Sequence, residues 1–244
     1  MVAINATRSL RYAGWAAYIS AGLAIIGAIA LLLFYGLEFP QAIATGSDSP
    51  QFFGPLSDYA GLFQFLAMLP LTVALHQLAP AHNQRLSRVA EILGITGLLT
   101  AALAQFLLVA HIIDFTVNLP IVLVGMVFIG IWLVVANRLG RASGALSRRL
   151  TLLGMFTGAM FAALGGLTLL MTLAYAVNPT AIGNLGTFLL DNPVLIGAII
   201  VLFTPALFAY FIGVPIWLIG IGRRLIASDE VGLARRDEQV SYGG

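Results

Sequence analysis

Six uninterrupted apolar runs, each long enough to cross a bilayer, constrain this chain more than any other feature. A helix needs roughly 20 apolar residues to span the ~30 Å hydrocarbon layer of a membrane. Strands of a membrane barrel would instead alternate polar and apolar residues in segments of about ten. The sequence therefore predicts an all-α polytopic membrane protein, with residues 1–244 forming one domain of six transmembrane helices. The runs lie at about 13–35, 59–79, 90–113, 119–137, 150–176 and 194–222.

The composition argues against a soluble protein and against chemistry that depends on cysteine. Hydrophobic residues make up 60% of the 244 residues, and charged residues only 9%. A chain with so little polar surface cannot cover a soluble globule of this size, so we expect the lipid bilayer to cover it. The chain contains no cysteine. Disulfides, thiolate metal ligands and cysteine nucleophiles are therefore excluded.

The distribution of charge predicts how the helices are oriented. All basic residues are arginines, and they lie near the two termini and in every second connection: Arg8, Arg11, Arg85, Arg88, Arg138, Arg141, Arg148, Arg149, Arg223, Arg224, Arg235 and Arg236. The other connections carry acidic residues: Glu38, Asp48, Asp58, Asp114 and Asp191. Because arginine-rich connections stay in the cytoplasm, we expect three helical hairpins with both termini cytoplasmic and a short cytoplasmic tail at 225–244. The net charge of +2 then reflects topology, and we expect no nucleic-acid partner.

Two tryptophans occur in a repeated context near the ends of even-numbered helices. The motif IWL occurs at 131–133 and again at 216–218, and each tryptophan is followed six residues later by an arginine, Arg138 or Arg223. Tryptophan and arginine are both enriched where helices leave the bilayer. The pattern predicts that Trp132 and Trp217 are anchors at the inner membrane interface.

Three segments carry a resemblance to a known family. They are FGPLSDYAGLFQFLAMLPLTVALHQLAPAHNQRLSRVAEILG, GIWLVVANRLGRASGALSRRLTLLGMFTG and PIWLIGIGRRL. In these segments the chain resembles the DUF4386-like family of bacterial multi-helix membrane proteins, and the likeness covers most of the chain. The resemblance implies six helices in a bacterial cytoplasmic membrane. Because its motifs are topological, it implies no activity and no assigned functional residues.

The stretch LVAHIIDFTVNLP, residues 108–120, contains the most suggestive pair of ionisable residues. On a continuous helix His111 and Asp114 would share one face, because residues three apart are neighbours. One interpretation is a local hydrogen-bonded pair at a wet helix end. The other is an outer-face polar site in which Asp114 orients His111, with Asp58 and Asp191 brought near as further ligands for a weak metal or proton site. We expect the first, with at most one other ionisable side chain in contact with His111.

Asp58 and Asp191 also have a structural interpretation, because they precede the predicted helices 2 and 6. Aspartate is typical of helix N-caps. The connection at 36–57 is longer than a tight turn requires and contains several phenylalanines. Such a connection either lies on the bilayer surface or covers the mouth of the bundle.

Few polar residues fall within the apolar runs. Gln64 and Gln105 are candidate intramembrane polar residues, whereas Glu91 lies near the inner boundary, where we expect it to pair with Arg88. Ion-coupled carriers generally place an ionisable group at mid-depth. None of the runs has an arginine or carboxylate there, which counts against that mechanism.

Small residues recur every four positions along the fifth run. Gly154, Gly158 and Gly166 belong to this stripe, together with Ala162. Helices in lipid associate through close van der Waals contact, which small residues permit. We therefore expect these glycines to pack against a neighbouring helix, and helix 5 to be the least lipid-exposed of the six.

Three functional hypotheses follow from these observations. The favoured one is a non-catalytic integral membrane protein, either an accessory subunit or a helical bundle that binds an apolar small molecule. The alternatives are a small-molecule transporter, favoured by Pro70, Pro205 and Pro215 as helix kinks, and an intramembrane enzyme or metal site at the outer face. We predict no catalytic residue, no metal and no cofactor, and as partners the bilayer, an apolar ligand or other membrane subunits.

Overall fold

The computed structural model describes residues 2–41, 52–79, 83–177, 201 and 204–227. Within these ranges the chain is helical and contains no strand. Six of the described helices are long and apolar enough to cross a membrane, as the apolar runs predict. They are α1 (Val2–Leu33), α2 (Phe53–Gln77), α3 (Gln84–Val109), α4 (Phe115–Ala142), α5 (Arg148–Val177) and α6 (Thr204–Ala227).

The first connection is shorter than the sequence predicts, because the helices on both sides extend into it. After α1 the chain forms a π-helical turn at Phe34–Glu38 and stays helical to Gln41. Helix α2 then begins at Phe53 rather than near residue 59. Asp48 and its neighbours at 42–51 lie outside the described residues.

The other helix ends also differ from the predicted runs. Helix α3 ends at Val109 and α4 begins at Phe115, so the connection between them is residues 110–114 and not 114–118. Helix α6 continues to Ala227, so the first residues of the expected tail are helical. The remainder of that tail, 228–244, and residues 194–200 of the sixth run lie outside the described residues.

Neighbouring helices pack in the order of the chain, and the last helix returns to the first. Helix α4 packs along both α3 and α5, and α2 packs along both α1 and α3. A Cβ atom added at Gly222 of α6 would lie 2.9 Å from the carbonyl oxygen of Gly14 of α1. Glycine at this point therefore lets the first and last helices approach each other closely.

The closest helix contact joins α4 and α5. A Cβ atom added at Gly158 would lie 2.6 Å from the carbonyl oxygen of Gly130, and the reverse distance is 2.5 Å. Gly154 is equally confined, because a Cβ atom there would overlap the side chain of Asn137. With no side chains between them, the two backbones touch, which is the van der Waals contact that holds helices together in lipid.

Gly166 does not belong to this contact, contrary to the sequence-based expectation. A Cβ atom at Gly166 would meet nothing within 4 Å, whereas one at Gly165 would lie 2.5 Å from the carbonyl oxygen of Leu123. The reason is geometric. At about 100° per residue, steps of four place Gly166 roughly 120° around the helix from Gly154, whereas Gly165 is only about 20° away.

Helix α2, and not α5, is the most buried span. In the most apolar part of each described span, 56% of the residues of α2 are buried, against 33% in α5. Helix α2 contacts α1, α3 and α4, and is therefore enclosed on several sides. The glycine stripe of α5 marks one tight contact and does not mark a central helix.

The two IWL tryptophans are core residues and not interfacial anchors. Trp132 and Trp217 are each 1% exposed, and their rings meet edge to face with centroids 6.2 Å apart. Gly94 of α3 leaves room for the first ring, since a Cβ atom there would lie 2.7 Å from Cγ of Trp132. The repeated motif therefore joins α4 to α6 inside the bundle.

Candidate functional site at the acidic end of the bundle

The two ends of the bundle differ in charge. We call one the acidic end, because it carries Glu38, Asp58 and Asp114. We call the other the arginine end; its described arginines are Arg11, Arg85, Arg88, Arg138, Arg141, Arg148, Arg149, Arg223 and Arg224.

A cavity of about 590 Å³ opens at the acidic end. It is bounded by the last turns of α1, the first turns of α2, the end of α3 and the start of α4. Its volume falls in the range of small-molecule sites, about 300–1,000 Å³. The lining residues are Leu31, Phe34, Tyr35, Phe39, Gly54, Pro55, Asp58, Tyr59, Leu108, Val109, His111 and Phe115.

The π-helical turn places an aromatic cluster on one wall of this cavity. The ring centroids of Phe34 and Phe39 are 6.1 Å apart, and those of Tyr35 and Phe39 are 5.8 Å apart. Residues 34 and 39 are brought into register by the i to i+5 hydrogen bond of the turn, from the Phe39 N–H to the Phe34 carbonyl. Single π-helical turns are frequent at functional sites, and this one shapes the wall of a cavity.

Glu38 closes the same wall by capping α2. Its carboxylate accepts hydrogen bonds from the backbone N–H groups of Phe52 at 2.6 Å, Phe53 at 3.1 Å and Gly54 at 3.4 Å. The first N–H groups of a helix lack partners within the helix, so this carboxylate satisfies them. Glu38 thereby fixes the last turn of α1 beside the first turn of α2, and the cavity lies between these two turns.

Asp58 was expected to be this cap, and the structure corrects that expectation. Because α2 begins at Phe53, Asp58 lies in the second turn of the helix, where the N–H groups already have partners. Its side chain lines the cavity and is half-buried. Among the residues that the structure describes, none forms a hydrogen bond or an ion pair with the Asp58 carboxylate.

His111 also lines the cavity, and it has an unusual backbone conformation. Its φ is 56°, in the left-handed region. Its N–H donates to the carbonyl of Leu108 at 2.9 Å. The N–H of Ile112 donates to the carbonyl of Leu107 at 2.9 Å. These two bonds form the Schellman ending of α3, in which the left-handed position is usually glycine. A histidine here costs about 1–2 kcal/mol of backbone strain.

Asp114 serves as a helix cap and does not orient His111. One of its carboxylate oxygens accepts from the Thr116 hydroxyl at 2.6 Å and from the Val117 N–H at 2.9 Å. These hydrogen bonds lower the pKa of Asp114 below its ordinary value of 3.8. Since α3 ends at Val109, His111 and Asp114 do not share a helix face. Among the contacts of the described residues, no hydrogen bond or ion pair joins the side chains of His111 and Asp114.

The structure thus brings together two of the four expected outer-face residues. Asp58 and His111 line one cavity, Asp114 caps α4, and Asp191 lies outside the described residues. Within the described ranges, no group of three histidine, aspartate or glutamate side chains is placed to hold a metal ion. The arrangement is an aromatic cavity with one carboxylate and one imidazole.

The two intramembrane glutamines lie inside the bundle. The amide oxygen of Gln105 accepts from the Asn118 Nδ2 at 3.4 Å, which links α3 to α4. Asn118 is 3% exposed and lies in the first turn of α4. Gln64 is also 3% exposed, and its backbone carbonyl accepts from the Ser20 hydroxyl at 3.3 Å. Both glutamines therefore belong to contacts between helices.

A second polar cluster lies at the arginine end, where α2 meets α3. The Nδ1 of His76 lies 2.8 Å from the Ser87 hydroxyl, and its Nε2 lies 3.9 Å from a carboxylate oxygen of Glu91. Glu91 thus faces His76 and not Arg88, its expected partner. Ser87 is only 4% exposed, and it does not line the acidic-end cavity. These contacts indicate that Ser87 and His76 form a polar link between two helices. They do not indicate that Ser87 is a nucleophile accessible to a substrate.

The comparisons with known proteins add no relative to this picture. Neither a protein-family model, nor a curated protein, nor a solved structure matches the chain.

Proposed function

We propose that this integral membrane protein is non-catalytic and binds an apolar small molecule in the acidic-end cavity. The observation that carries the proposal is the cavity itself, about 590 Å³ in volume and lined mainly by aromatic and aliphatic side chains. Ligand sites generally combine such a lining with a few polar groups that fix the orientation of the ligand. Asp58 and His111 are the groups in that position here.

The position of the cavity favours binding over catalysis. Among the described residues that line it, Asp58 is the one acid and His111 the one base; Asp58 lies on α2 and His111 in the connection between α3 and α4. Nucleophilic catalysis needs a nucleophile within hydrogen-bond reach of a base. The one serine–histidine contact of this kind among the described residues is His76 with Ser87 at the arginine end. Neither His76 nor Ser87 lines the acidic-end cavity.

The proposal includes an orientation in a bacterial cytoplasmic membrane. It takes the arginine end as cytoplasmic and the acidic end as external, which is supported by the exclusion of arginines from one end. Arg149, Arg223 and Arg224 line an open groove of about 560 Å³ between α5 and α6 at the arginine end. Membership of the DUF4386-like family, and association with other membrane subunits, belong to the same proposal.

Direct binding measurements test the proposal. We would titrate the purified protein, in a neutral detergent, with 6-phenylhexan-1-ol and 6-phenylhexylamine by isothermal calorimetry. These probes share an apolar body and differ at one end. The proposal predicts saturable binding of at least one probe. It further predicts that Leu108→Trp weakens the binding strongly, because the larger side chain occupies part of the cavity that the probe needs.

A matched substitution on the same helix provides the control. Leu99 of α3 is 47% exposed and does not line the cavity, so Leu99→Trp should leave the affinity unchanged. Absence of saturable binding of both probes would contradict the proposal. Equal loss of affinity in Leu99→Trp and Leu108→Trp would contradict it as well, since binding would then not depend on the cavity.

A further inference from the structure

We infer that the ligand of the acidic-end cavity is an amphipathic amine, with an apolar body and one protonated nitrogen held against Asp58. The inference rests on the proposed function and adds the chemical class of the ligand. It follows from a half-buried carboxylate, an aromatic lining around it, and the scarcity of cations at this end of the bundle.

The first observation is the state of the Asp58 carboxylate. It is half-buried in the wall of a membrane-protein cavity, and no described residue donates a hydrogen bond or a cation to it. Removing a carboxylate from water is costly unless a partner compensates for the lost hydration. The nearby Glu38 and Asp114 both use their carboxylates as helix caps, whereas Asp58 does not. Its free acceptors point to a ligand that brings its own donor and positive charge.

The second observation is the ring content of the lining. Five of the twelve lining residues are aromatic: Phe34, Tyr35, Phe39, Tyr59 and Phe115. The faces of aromatic rings attract cations, and cages of such rings are a known way of holding alkylated ammonium groups. The same rings bury an apolar body. A carboxylate beside several aromatic rings therefore favours an organic ammonium ion over a neutral ligand and strongly disfavours an anion.

The third observation concerns the charges that could neutralise Asp58 from within the protein. All described arginines lie at the arginine end, and none lies at the acidic end. Among the described residues that line the cavity, His111 is the only basic one. His111 is exposed, whereas Asp58 is half-buried. No described arginine is therefore near enough to neutralise Asp58, which favours a ligand that is itself a cation.

The decisive test compares the two probes defined above. For the wild-type protein at pH 7, 6-phenylhexylamine should bind at least about tenfold more tightly than 6-phenylhexan-1-ol, a difference of about 1.4 kcal/mol. Asp58→Asn should abolish the preference, so that this variant binds the amine and the alcohol with about equal affinity. Asp58→Glu, which retains the charge, should keep a preference for the amine.

Each alternative result has a distinct meaning. Equal affinities of the wild-type protein for amine and alcohol would overturn the inference, while loss of both in Leu108→Trp would still support the proposed function. A preference for the amine that survives in Asp58→Asn would also overturn the inference, because the charge that selects the amine would lie elsewhere. If neither probe binds, the proposed function fails together with the inference. Binding of the alcohol by Asp58→Asn shows that this variant is folded.

Discussion

The indole Nε1 of Trp217 on α6 donates a 2.9 Å hydrogen bond to the side-chain oxygen of Asn137 on α4. The Nδ2 of the same asparagine donates to the carbonyl of Leu133 at 2.8 Å. Asn137 is fully buried. Two helices that are distant in sequence are thus joined by a polar contact whose members all have partners.

This contact predicts a measurable coupling between the two residues. Asn137→Leu leaves the indole N–H without a partner, and Trp217→Phe leaves the asparagine oxygen without a donor. Each single substitution should lower the free energy of unfolding by about 1–3 kcal/mol. The double variant should be less destabilised than the sum, because interhelical hydrogen bonds in membranes contribute roughly 0.6 kcal/mol on average and up to about 1.7.

Unfolding in mixed micelles would measure this cycle. Ile216→Leu is a suitable control, since Ile216 is exposed and adjacent to Trp217 in sequence. Strictly additive effects of the two substitutions would argue against the hydrogen bond.

The contact between α4 and α5 predicts that alanine substitutions at two glycines of α5 have different effects on stability. Gly158→Ala should destabilise the protein by about 1–3 kcal/mol, because the added methyl group overlaps the backbone of Gly130. Gly166→Ala should be neutral, since nothing lies within 4 Å of the added atom. Melting temperatures in detergent provide the measurement, and equal shifts in the two variants would refute the assigned contact.

The ending of α3 predicts that glycine is better than alanine at position 111. Both His111→Gly and His111→Ala remove the imidazole, but only glycine adopts the left-handed conformation, φ 56°, without strain. The glycine variant should therefore be more stable than the alanine variant by about 1 kcal/mol. Chemical unfolding of the two proteins would decide the matter. A more stable alanine variant would mean that residue 111 is not left-handed.

The cap of α4 predicts a dependence of stability on pH. Hydrogen bonds from Thr116 and Val117 lower the pKa of Asp114 in the folded protein. A lowered folded-state pKa contributes stability above the unfolded value, 3.8, and that contribution is lost as the pH falls through the folded value. Asp114→Asn retains an acceptor that does not titrate. The wild-type protein should melt above this variant at pH 6, and the difference should shrink below pH 3.8 and vanish once the pH lies below the lowered folded-state pKa.

The helices could be predicted from the sequence because the membrane imposes their length and composition. Their ends could not, because the capping residues act over distances that a local pattern does not reveal. Glu38 caps α2 from the end of α1, 14 residues before Phe52, and so extends α2 beyond the predicted start. Asp114 caps α4, and the helix on which the pairing with His111 depended ends earlier, at Val109.

The candidate site could be predicted only in part, for related reasons. Asp58 and His111 were recognisable because ionisable residues are rare in this chain. The aromatic wall was not, because phenylalanine is common in apolar runs, and only the π-helical turn brings Phe34 and Phe39 together. Likewise, a tryptophan followed by an arginine is typical of an interface. Only the facing Gly94 leaves room for Trp132 in the core.

Protection of a cysteine by ligand would test the account most directly. The chain has no cysteine, so Leu108→Cys places a single thiol in the acidic-end cavity. Val117→Cys places one at the same end, at an exposed position outside the lining. The measurement is the rate of alkylation by N-phenylmaleimide with and without saturating 6-phenylhexan-1-ol. The account predicts that the alcohol slows alkylation at position 108 severalfold and leaves the rate at position 117 unchanged. Equal rates at position 108 with and without the alcohol would contradict it.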